Sequence, residues 1–478
     1  MQNNDINKNK LDSKDLLMVF LLCISGIVLT YQLAQYMDVL LWDEAIYLDR
    51  GFLLWKIIPN TWGPIYSVWY KLLSYIEIDK INLYYLNFKL QTISSACLLY
   101  FMLRRYSINI FIAFLLSIIW LHHSYNLPAW PKISHFSIQL VLFAAILASY
   151  CTSYLIKTII FSIAFLFCGY ARPELYLSFL ISLCMVIYFL IKEKKSINLS
   201  KIVSLVVLVV LTLLTYKLYK TPFNNNDSQR SVGVLIQHLA YNITTWNQQD
   251  LLWWYEWKSI IRQYVDEPFR LKDIVLNSDG IFLKHILYNI KMLIISISDI
   301  IISIIVPYSF FSKKLIFTII VPFTFLLIFY SNRITKNITI KKYRYILLLF
   351  VIACLPSISS SIYAYPRTHY LIMLIPLLWF LVAIFINNST LNIKHCVLLF
   401  LLFIAFAPKA KDYIYFDMFG THQDMTNVKT INYIQEKYKS DTICIFDADG
   451  MLPTLMQKNY TIYDFKSLIA DEKYIFQI

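Results

Sequence analysis

The chain has 478 residues, of which 58% are hydrophobic and 15% charged, with a mean hydropathy of +0.57. Soluble domains carry roughly 45–50% apolar and about 25% charged residues, so this composition excludes a soluble globular protein and indicates an integral membrane protein. The net charge of +14 does not indicate nucleic-acid binding. The lysines and arginines lie in short patches between apolar runs, as in cytoplasmic loops, and no basic soluble domain is visible.

Apolar runs of membrane-spanning length predict an all-α polytopic membrane protein. No signal-peptide cleavage pattern follows the first run, so it is expected to remain as a helix. With the N-terminus inside, Arg104, Arg105 and the basic patch 192–201 fall in the cytoplasm, as the positive-inside rule requires. The loops 38–81 and 220–285 then lie outside. In this first part of the chain the predicted spans are 16–37, 82–103, 108–125, 134–152, 155–171, 174–192 and 202–219.

The later part of the chain allows more than one topology. If every apolar run crosses, the basic stretch 333–344 falls outside, against the positive-inside rule. We favour treating 286–311, which contains Asp299 and Pro307, as a re-entrant or interfacial hairpin. That choice gives about eleven spans, with twelve or thirteen as alternative counts, and places the C-terminal tail outside. The apolar runs concerned are 286–311, 314–332, 345–363, 369–387 and 395–408.

Three segments are not predicted to span the bilayer. The 38–81 loop carries two aromatic-rich amphipathic stretches, 47–57 and 65–75, which are typical of interfacial helices in the headgroup plane. The 220–285 loop is also rich in tryptophan. Residues 1–408 are assigned to a membrane domain. Residues 409–478 are assigned to a small soluble α/β region with a helix over 427–438 and a strand over 442–446.

An acidic pair, Asp43-Glu44, directly follows the first span. Two carboxylates at a membrane exit are costly to desolvate, which favours a functional role. Transfer of a sugar to a hydroxyl or amine needs a carboxylate that takes the acceptor proton or holds a metal ion that does so. The structural alternative is that the pair caps the helix around Ile46.

The surroundings of this pair resemble a known family. Residues 42–51 (Trp-Asp-Glu-Ala-Ile-Tyr-Leu-Asp-Arg-Gly), followed by residues 62–66 (Trp-Gly-Pro-Ile-Tyr), resemble the first outer loop of GT-C glycosyltransferases. These polytopic enzymes take sugars from polyprenyl-phosphate carriers. The most similar subgroups are the protein-mannosyltransferase-like and aminoarabinose-transferase-like enzymes.

Two later segments resemble motifs of the same enzymes. Residues 171–174 (Ala-Arg-Pro-Glu) are similar to their short basic-proline motif. Residues 366–370 (Pro-Arg-Thr-His-Tyr), followed by 374–376 (Leu-Ile-Pro), are similar to a late Pro-Arg-Tyr motif, with Thr368 and His369 inserted. The resemblance covers roughly the first 220 residues and the segment 365–376.

The resemblance implies a GT-C-like fold, with Asp43 as catalytic base or as ligand of a divalent cation (Mg²⁺ or Mn²⁺), Glu44 in support, and inversion at the anomeric carbon. A departing lipid phosphate needs fixed positive charge and hydrogen-bond donors. Arg172, Arg367 and His369 are therefore the predicted phosphate-binding residues, and Lys132 joins them on the same outer face. Anchoring of helix ends by snorkelling is the alternative role of the two arginines.

The sequence thus predicts a multi-pass glycosyltransferase of a bacterial inner or plasma membrane, with its active site on the outer, periplasmic side. It would transfer a sugar from a polyprenyl-phosphate carrier to a lipid, glycan or protein. An O-antigen polymerase or ligase is the first alternative, and its site would centre on the 220–285 loop with His238 and His285. A lipid-glycan flippase or transporter is the second. It would need charged residues within the spans and internal repeats; Asp299 is the only acidic residue deep in an apolar run, and no repeat is visible.

Overall fold

The computed structural model describes thirteen segments of the chain. Turns and short 3₁₀ segments connect α-helices throughout these segments, and no strand occurs within them. Trp42, the runs 314–332 and 395–408, and the predicted strand over 442–446 lie outside the described residues. The described segments are 12–31, 33–39, 43–54, 63–123, 125–127, 131–194, 197–222, 228–248, 253–265, 269–277, 280–305, 340–388 and 426–437.

Most of the predicted spans appear as helices within a few residues of the expected bounds. The helices up to residue 219 are α1 (Ser13–Thr30), α2 (Leu33–Tyr36), α3 (Asp43–Phe52), α4 (Pro64–Leu73), α5 (Lys80–Arg105), α6 (Ile110–Leu121), α7 (Ile133–Ser149), α8 (Tyr154–Ala171), α9 (Tyr176–Lys192) and α10 (Leu199–Tyr219). The later helices are α11 (Ser228–Asn247), α12 (Trp253–Arg262), α13 (Leu271–Asn277), α14 (Ile281–Ile305), α15 (Ile340–Tyr363), α16 (Thr368–Leu371), α17 (Ile375–Asn387) and α18 (Thr426–Lys437).

The described helices are those of a multi-pass membrane protein. Seven segments are long and apolar enough to cross a bilayer, and α6 and α7 are shorter apolar helices. Helix α5 has 26 residues, or a length of ~39 Å, and buries polar side chains such as Asn87 and Gln91 along one face. The seven segments are Ser13–Gln35, Tyr154–Ala171, Pro173–Lys192, Leu199–Tyr219, Ile281–Ile301, Lys342–Tyr363 and His369–Asn387.

Several helices begin at a residue whose side chain accepts a hydrogen bond from the first turn. The first N–H groups of a helix have no partner within it, so such a cap stabilises the start. Asp79 caps α5 through the N–H of Asn82 at 2.8 Å, and Asn198 caps α10 through that of Lys201 at 3.2 Å. At α1, Asp12 and Asp15 form a reciprocal capping box.

The structure describes residues 286–305 of the segment 286–311 that is predicted to form a hairpin. Helix α14 runs without a break from Ile281 to Ile305. Asp299 does not interrupt it, because an aspartate inside a helix costs only about 0.7 kcal/mol. Pro307 lies outside the described residues. The apolar run that begins at 286 is therefore part of a helix that starts five residues earlier.

Side-chain contacts define two ends of the helix bundle. At one end, here called the Arg104 end, the N-terminus of α1 meets the C-terminus of α5, and the C-terminus of α17 meets the start of α6. The pairs that join this end include Arg104 with Asp15 at 2.5 Å, Asn109 with Asn387 at 2.8 Å, Lys201 with Glu193 at 2.7 Å, and Tyr343 with the Tyr106 carbonyl at 3.3 Å.

The opposite end, here called the Asp43 end, carries the non-spanning helices. The stretches 47–57 and 65–75, predicted to be amphipathic, correspond to the shorter helices α3 and α4, which pack on each other and on α5 and α8. Helices α11 to α13 form a second hydrophobic cluster that reaches Tyr363. The tail helix predicted over 427–438 is confirmed as α18.

Candidate functional site

Asp43 and Glu44 are the first two residues of α3. Neighbouring residues of an α-helix project about 100° apart, so the two carboxylates face different surroundings. Glu44 is buried with 2% of its surface exposed, whereas Asp43 is half-buried. The two carboxylates of the acidic pair therefore have different environments.

Glu44 is the centre of a buried hydrogen-bond network. Its Oε1 accepts bonds from the hydroxyls of Tyr66 and Tyr70, each at 2.5 Å, and from Asn87 Nδ2 at 3.1 Å. Its Oε2 accepts the backbone N–H of Lys132 at 2.7 Å. One carboxylate thus ties α3 to α4, α5 and the start of α7.

Asn87 completes this network. Its Nδ2 also donates to the oxygens of Tyr66 and Tyr70 at 2.8 Å, and its Oδ1 accepts from Trp69 Nε1 at 2.8 Å. Burial raises the pKa of Glu44, and the bonds from the two tyrosines oppose that rise. The start of α3 is therefore held by directed bonds to three other helices.

Lys132 belongs to the Glu44 network. It is fully buried, and its ammonium donates to the carbonyls of Asn126 and Leu127 and lies 3.9 Å from the centre of the Phe88 ring. Burial lowers its pKa well below the ordinary value, and the nearby Glu44 opposes that shift. These contacts hold the turn before α7 in place.

Arg172 lies at the junction of α8 and α9, with 9% of its surface exposed. Its guanidinium forms an ion pair with Glu174, donates to Ser134 Oγ, and donates to the carbonyl of His369 at 3.1 Å. Burial is the largest influence and lowers the pKa of Arg172, but Glu174, Tyr370 and Tyr47 together oppose it, and the pKa is raised overall. The arginine therefore stays charged and joins three parts of the chain.

Tyr370 is the common neighbour of the predicted catalytic and phosphate-binding residues. The Arg172 guanidinium carbon lies 4.8 Å from the centre of its ring. The Tyr370 hydroxyl interacts electrostatically with Asp43, Arg172, Glu174 and Arg367. His369 has Arg172, Arg367 and His238 as its electrostatic neighbours. The structure thus brings Asp43, Arg172, Arg367 and His369 together at the Asp43 end.

The segment that carries Arg367 is anchored by side chains of α14. Asn289 Nδ2 donates to the carbonyls of Ile362 and Ala364 at 2.9 and 2.8 Å, and His285 Nε2 lies 3.0 Å from the carbonyl of Tyr363. Asn242 of α11 donates to His285 Nδ1 at 2.8 Å and to Asn289 Oδ1 at 3.0 Å. These bonds satisfy carbonyls at the end of α15, which otherwise lack partners.

His238 lies beside this segment on α11. Its Nδ1 is 2.7 Å from the carbonyl of Val234 and must donate to it, so Nε2 is the unprotonated nitrogen of the neutral ring. Its ring stacks against Tyr365 with centroids 6.3 Å apart. Burial and the nearby Arg367 lower the pKa of His238 to about 3. Nε2 has no hydrogen-bond partner among the described residues.

Gly63 provides a close contact between the acidic and basic parts of the site. Its φ of +60° is a left-handed conformation that glycine adopts without strain. A Cβ there would lie 2.7 Å from the Ala171 carbonyl oxygen and 2.9 Å from the Tyr47 ring. Glycine thus lets the start of α4 pack closely against the residue directly before Arg172.

Sequence reasoning missed the residues that hold the site in place. Tyr66 and Tyr70 are four residues apart and so share one face of α4, and Asn87 and Asn289 are amides within apolar helices. A polar residue in a membrane helix usually faces the protein interior. That signal was available, but it does not identify the partners.

A metal site at Asp43 finds no ligand set in the described chain. No group of three His, Cys, Asp or Glu side chains lies close enough to hold a metal ion within those residues. Zinc sites need at least three protein ligands in most cases, whereas Mg²⁺ is commonly held by one or two carboxylates together with substrate phosphates. A divalent cation at Asp43 therefore stays a prediction.

Comparisons with models of known protein families, with curated proteins and with solved structures find no match for this chain.

Proposed function

We propose that the chain is an integral membrane glycosyltransferase of the GT-C type that transfers a sugar from a polyprenyl-phosphate carrier to a lipid, glycan or protein acceptor. The observation that carries the proposal is that Arg172 packs on the Tyr370 ring and that Asp43 and Arg367 lie within electrostatic range of the same tyrosine. These residues are far apart in the sequence and belong to three separate segments. A carboxylate and two guanidinium groups in one region suit a reaction that removes a proton and releases a phosphate.

Asp43 takes the proton of the acceptor. The acceptor oxygen then attacks the anomeric carbon of the sugar, and the bond between that carbon and the phosphate oxygen breaks. The bonding electrons pass to the phosphate, which leaves on its lipid. Direct displacement inverts the anomeric carbon. Asp43 is half-buried and can meet an acceptor, whereas Glu44 is enclosed and positions α3.

Arg172 and Arg367 stabilise the departing phosphate. A guanidinium carries five N–H donors, and Arg172 makes three contacts with described residues, so donors remain for a phosphate. Glu174 and Ser134 orient the group. The His369 ring interacts electrostatically with both arginines and adds a donor at the same place.

The charge distribution supports an active site away from the cytoplasm. Arg104 and Lys201 form contacts at the Arg104 end. Positive loops stay on the cytoplasmic side of a membrane, which supports an outer position for the Asp43 end. Such an orientation suits the outer face of a bacterial plasma membrane.

The test is sugar transfer by the protein in liposomes that contain radiolabelled polyprenyl-phosphate sugars. Asp43→Asn is expected to reduce the transfer rate by about 10²- to 10⁴-fold, as loss of a general base does. Asp49→Asn is the matched control, because Asp49 lies on the same helix and pairs with Lys80 at 2.8 Å. Undiminished transfer by the Asp43 variant would refute the assignment, and so would a wild-type protein that uses no such donor.

A polymerase- or ligase-type reaction is the second candidate. The observation in its favour is His238, a neutral histidine of α11 beside Arg367 whose Nε2 is buried without a described partner. In that reaction His238→Ala abolishes activity and Asp43→Asn does not. His285 does not discriminate, because its ring already holds the end of α15.

A further inference from the structure

Asp38 joins two distant parts of the chain. Only 2% of its surface is exposed. Its Oδ2 accepts the backbone N–H of Asn427 at 2.8 Å, and its Oδ1 accepts that of Val428 at 3.0 Å. Asn427 Nδ2 donates in return to the Val39 carbonyl at 3.0 Å. The start of α18 is therefore bound directly to residues 38–39.

A carboxylate is well suited to this contact. The first N–H groups of a helix have no partner inside it, and the N-terminus carries a partial positive charge. Most helices receive such a cap from the residue just before them. Helix α18 instead receives its cap from the segment that leads into α3, so the C-terminal region and the Asp43 segment share one buried polar contact.

Apolar packing adds to the polar contact. Ile431 of α18 is fully buried in the main hydrophobic cluster, and Val428 and Ile434 pack against that cluster. The three residues lie three or four positions apart and therefore share one face of the helix. Tyr433 and Glu436, on other faces, are exposed. Helix α18 is thus docked along one complete face.

The same segment is tied to α5. The hydroxyl of Tyr85 donates to the carbonyl of Met37 at 2.6 Å. Residues 37–39 are thereby held from both sides, by α5 and by α18. Asp43 follows this doubly attached segment by four residues in the sequence.

We propose that Asp38 is a positioning residue of the Asp43 site and that α18 is part of the framework of that site. The C-terminal region then lies at the Asp43 end and is required there. The activity readout of this inference rests on the proposed glycosyltransferase function, but its structural readout does not.

The test compares the full-length wild type with Asp38→Ala and Asp38→Asn by amide hydrogen exchange in micelles. Asp38→Ala is expected to speed exchange in 426–437 and in 43–52 by about tenfold, as loss of a helix cap does. Asp38→Asn keeps one carbonyl acceptor and is expected to give a smaller increase. Asp79→Ala is the control, because it removes a cap of the same kind from α5 alone. Unchanged exchange in 43–52 would overturn the framework role.

Sugar transfer supplies the functional arm of the same experiment. A displaced Asp43 is expected to lower kcat by about ten- to a hundredfold while the KM for the lipid-linked donor stays nearly constant. Partial recovery by Asp38→Asn supports positioning. Faster exchange with an unaltered kcat would reject it. If the wild type transfers no sugar, the proposed function fails, and exchange in 43–52 alone decides whether Asp38 positions α3.

Discussion

The acidic and basic halves of the candidate site are anchored by different chemistry. Asp43 stands on a helix held by one buried carboxylate, Glu44, to which four donors converge. Arg367 stands on a segment held by neutral groups, Asn289 and His285, which satisfy the carbonyls at the end of α15. Within α3 one charged residue makes these bonds, whereas the basic half divides the task between two neutral side chains.

This difference follows from what each half must hold. Helix α3 has only ten residues and does not span the bundle, so its position depends strongly on side-chain bonds such as those of Glu44. The Arg367 segment directly follows α15, whose apolar packing already fixes its position. A buried charge gives strong, directed bonds but is costly when a partner is removed. Neutral amides give weaker bonds and a smaller penalty.

The largest expected effect comes from Glu44→Ala. It leaves the hydroxyls of Tyr66 and Tyr70 and the N–H of Lys132 buried without their acceptor, and breaking a buried network of this kind costs about 3–5 kcal/mol. The free energy of unfolding, measured by SDS titration in mixed micelles, is expected to fall by that amount. Glu44→Gln keeps a carbonyl acceptor and should lose less. A loss below about 1 kcal/mol for the alanine variant would contradict the central role of Glu44.

The membrane helices could be predicted from the sequence, as could the position of Asp43, Arg172 and Arg367 at one end of the bundle, and the anchors could not. Asp43, Arg172 and Arg367 were visible because a charge next to an apolar run is costly and therefore informative. The partners of Asn289 and Tyr66 were not visible, because they lie on other helices and depend on how those helices pack. The docking of α18 on Asp38 has the same origin. Local pattern gives helix bounds, but it contains no information on contacts between distant segments.

Gly63→Ala tests the contact between the two halves. An alanine with positive φ costs about 1–2 kcal/mol, and its Cβ would lie 2.7 Å from the backbone oxygen of Ala171, so the turn must shift away from Arg172. The loss in transfer rate, expressed as a free energy, is expected to exceed the loss in the free energy of unfolding. Gly233→Ala is the matched control: its Cβ meets no atom within 4 Å, and it lies inside α11, so a gain of up to about 1 kcal/mol is expected. Equal effects of the two variants would show that Gly63 has no special role.

Asn289→Ala tests the basic half and is expected to have the smallest effect on stability. It removes two bonds to the end of α15, at a cost of about 1–2 kcal/mol, since terminal carbonyls find other partners more easily than buried hydroxyls. The KM for the lipid-linked donor should rise, because Arg367 loses its fixed position. The control Asn82→Ala, at an exposed site on α5, should change neither this KM nor the free energy of unfolding.

If the two halves are anchored independently, the losses in unfolding free energy of Glu44→Ala and Asn289→Ala add to within about 0.5 kcal/mol in the double variant. A larger deviation would mean that the carboxylate network and the amide network form a single unit, and the distinction between a charged and a neutral anchor would then fail.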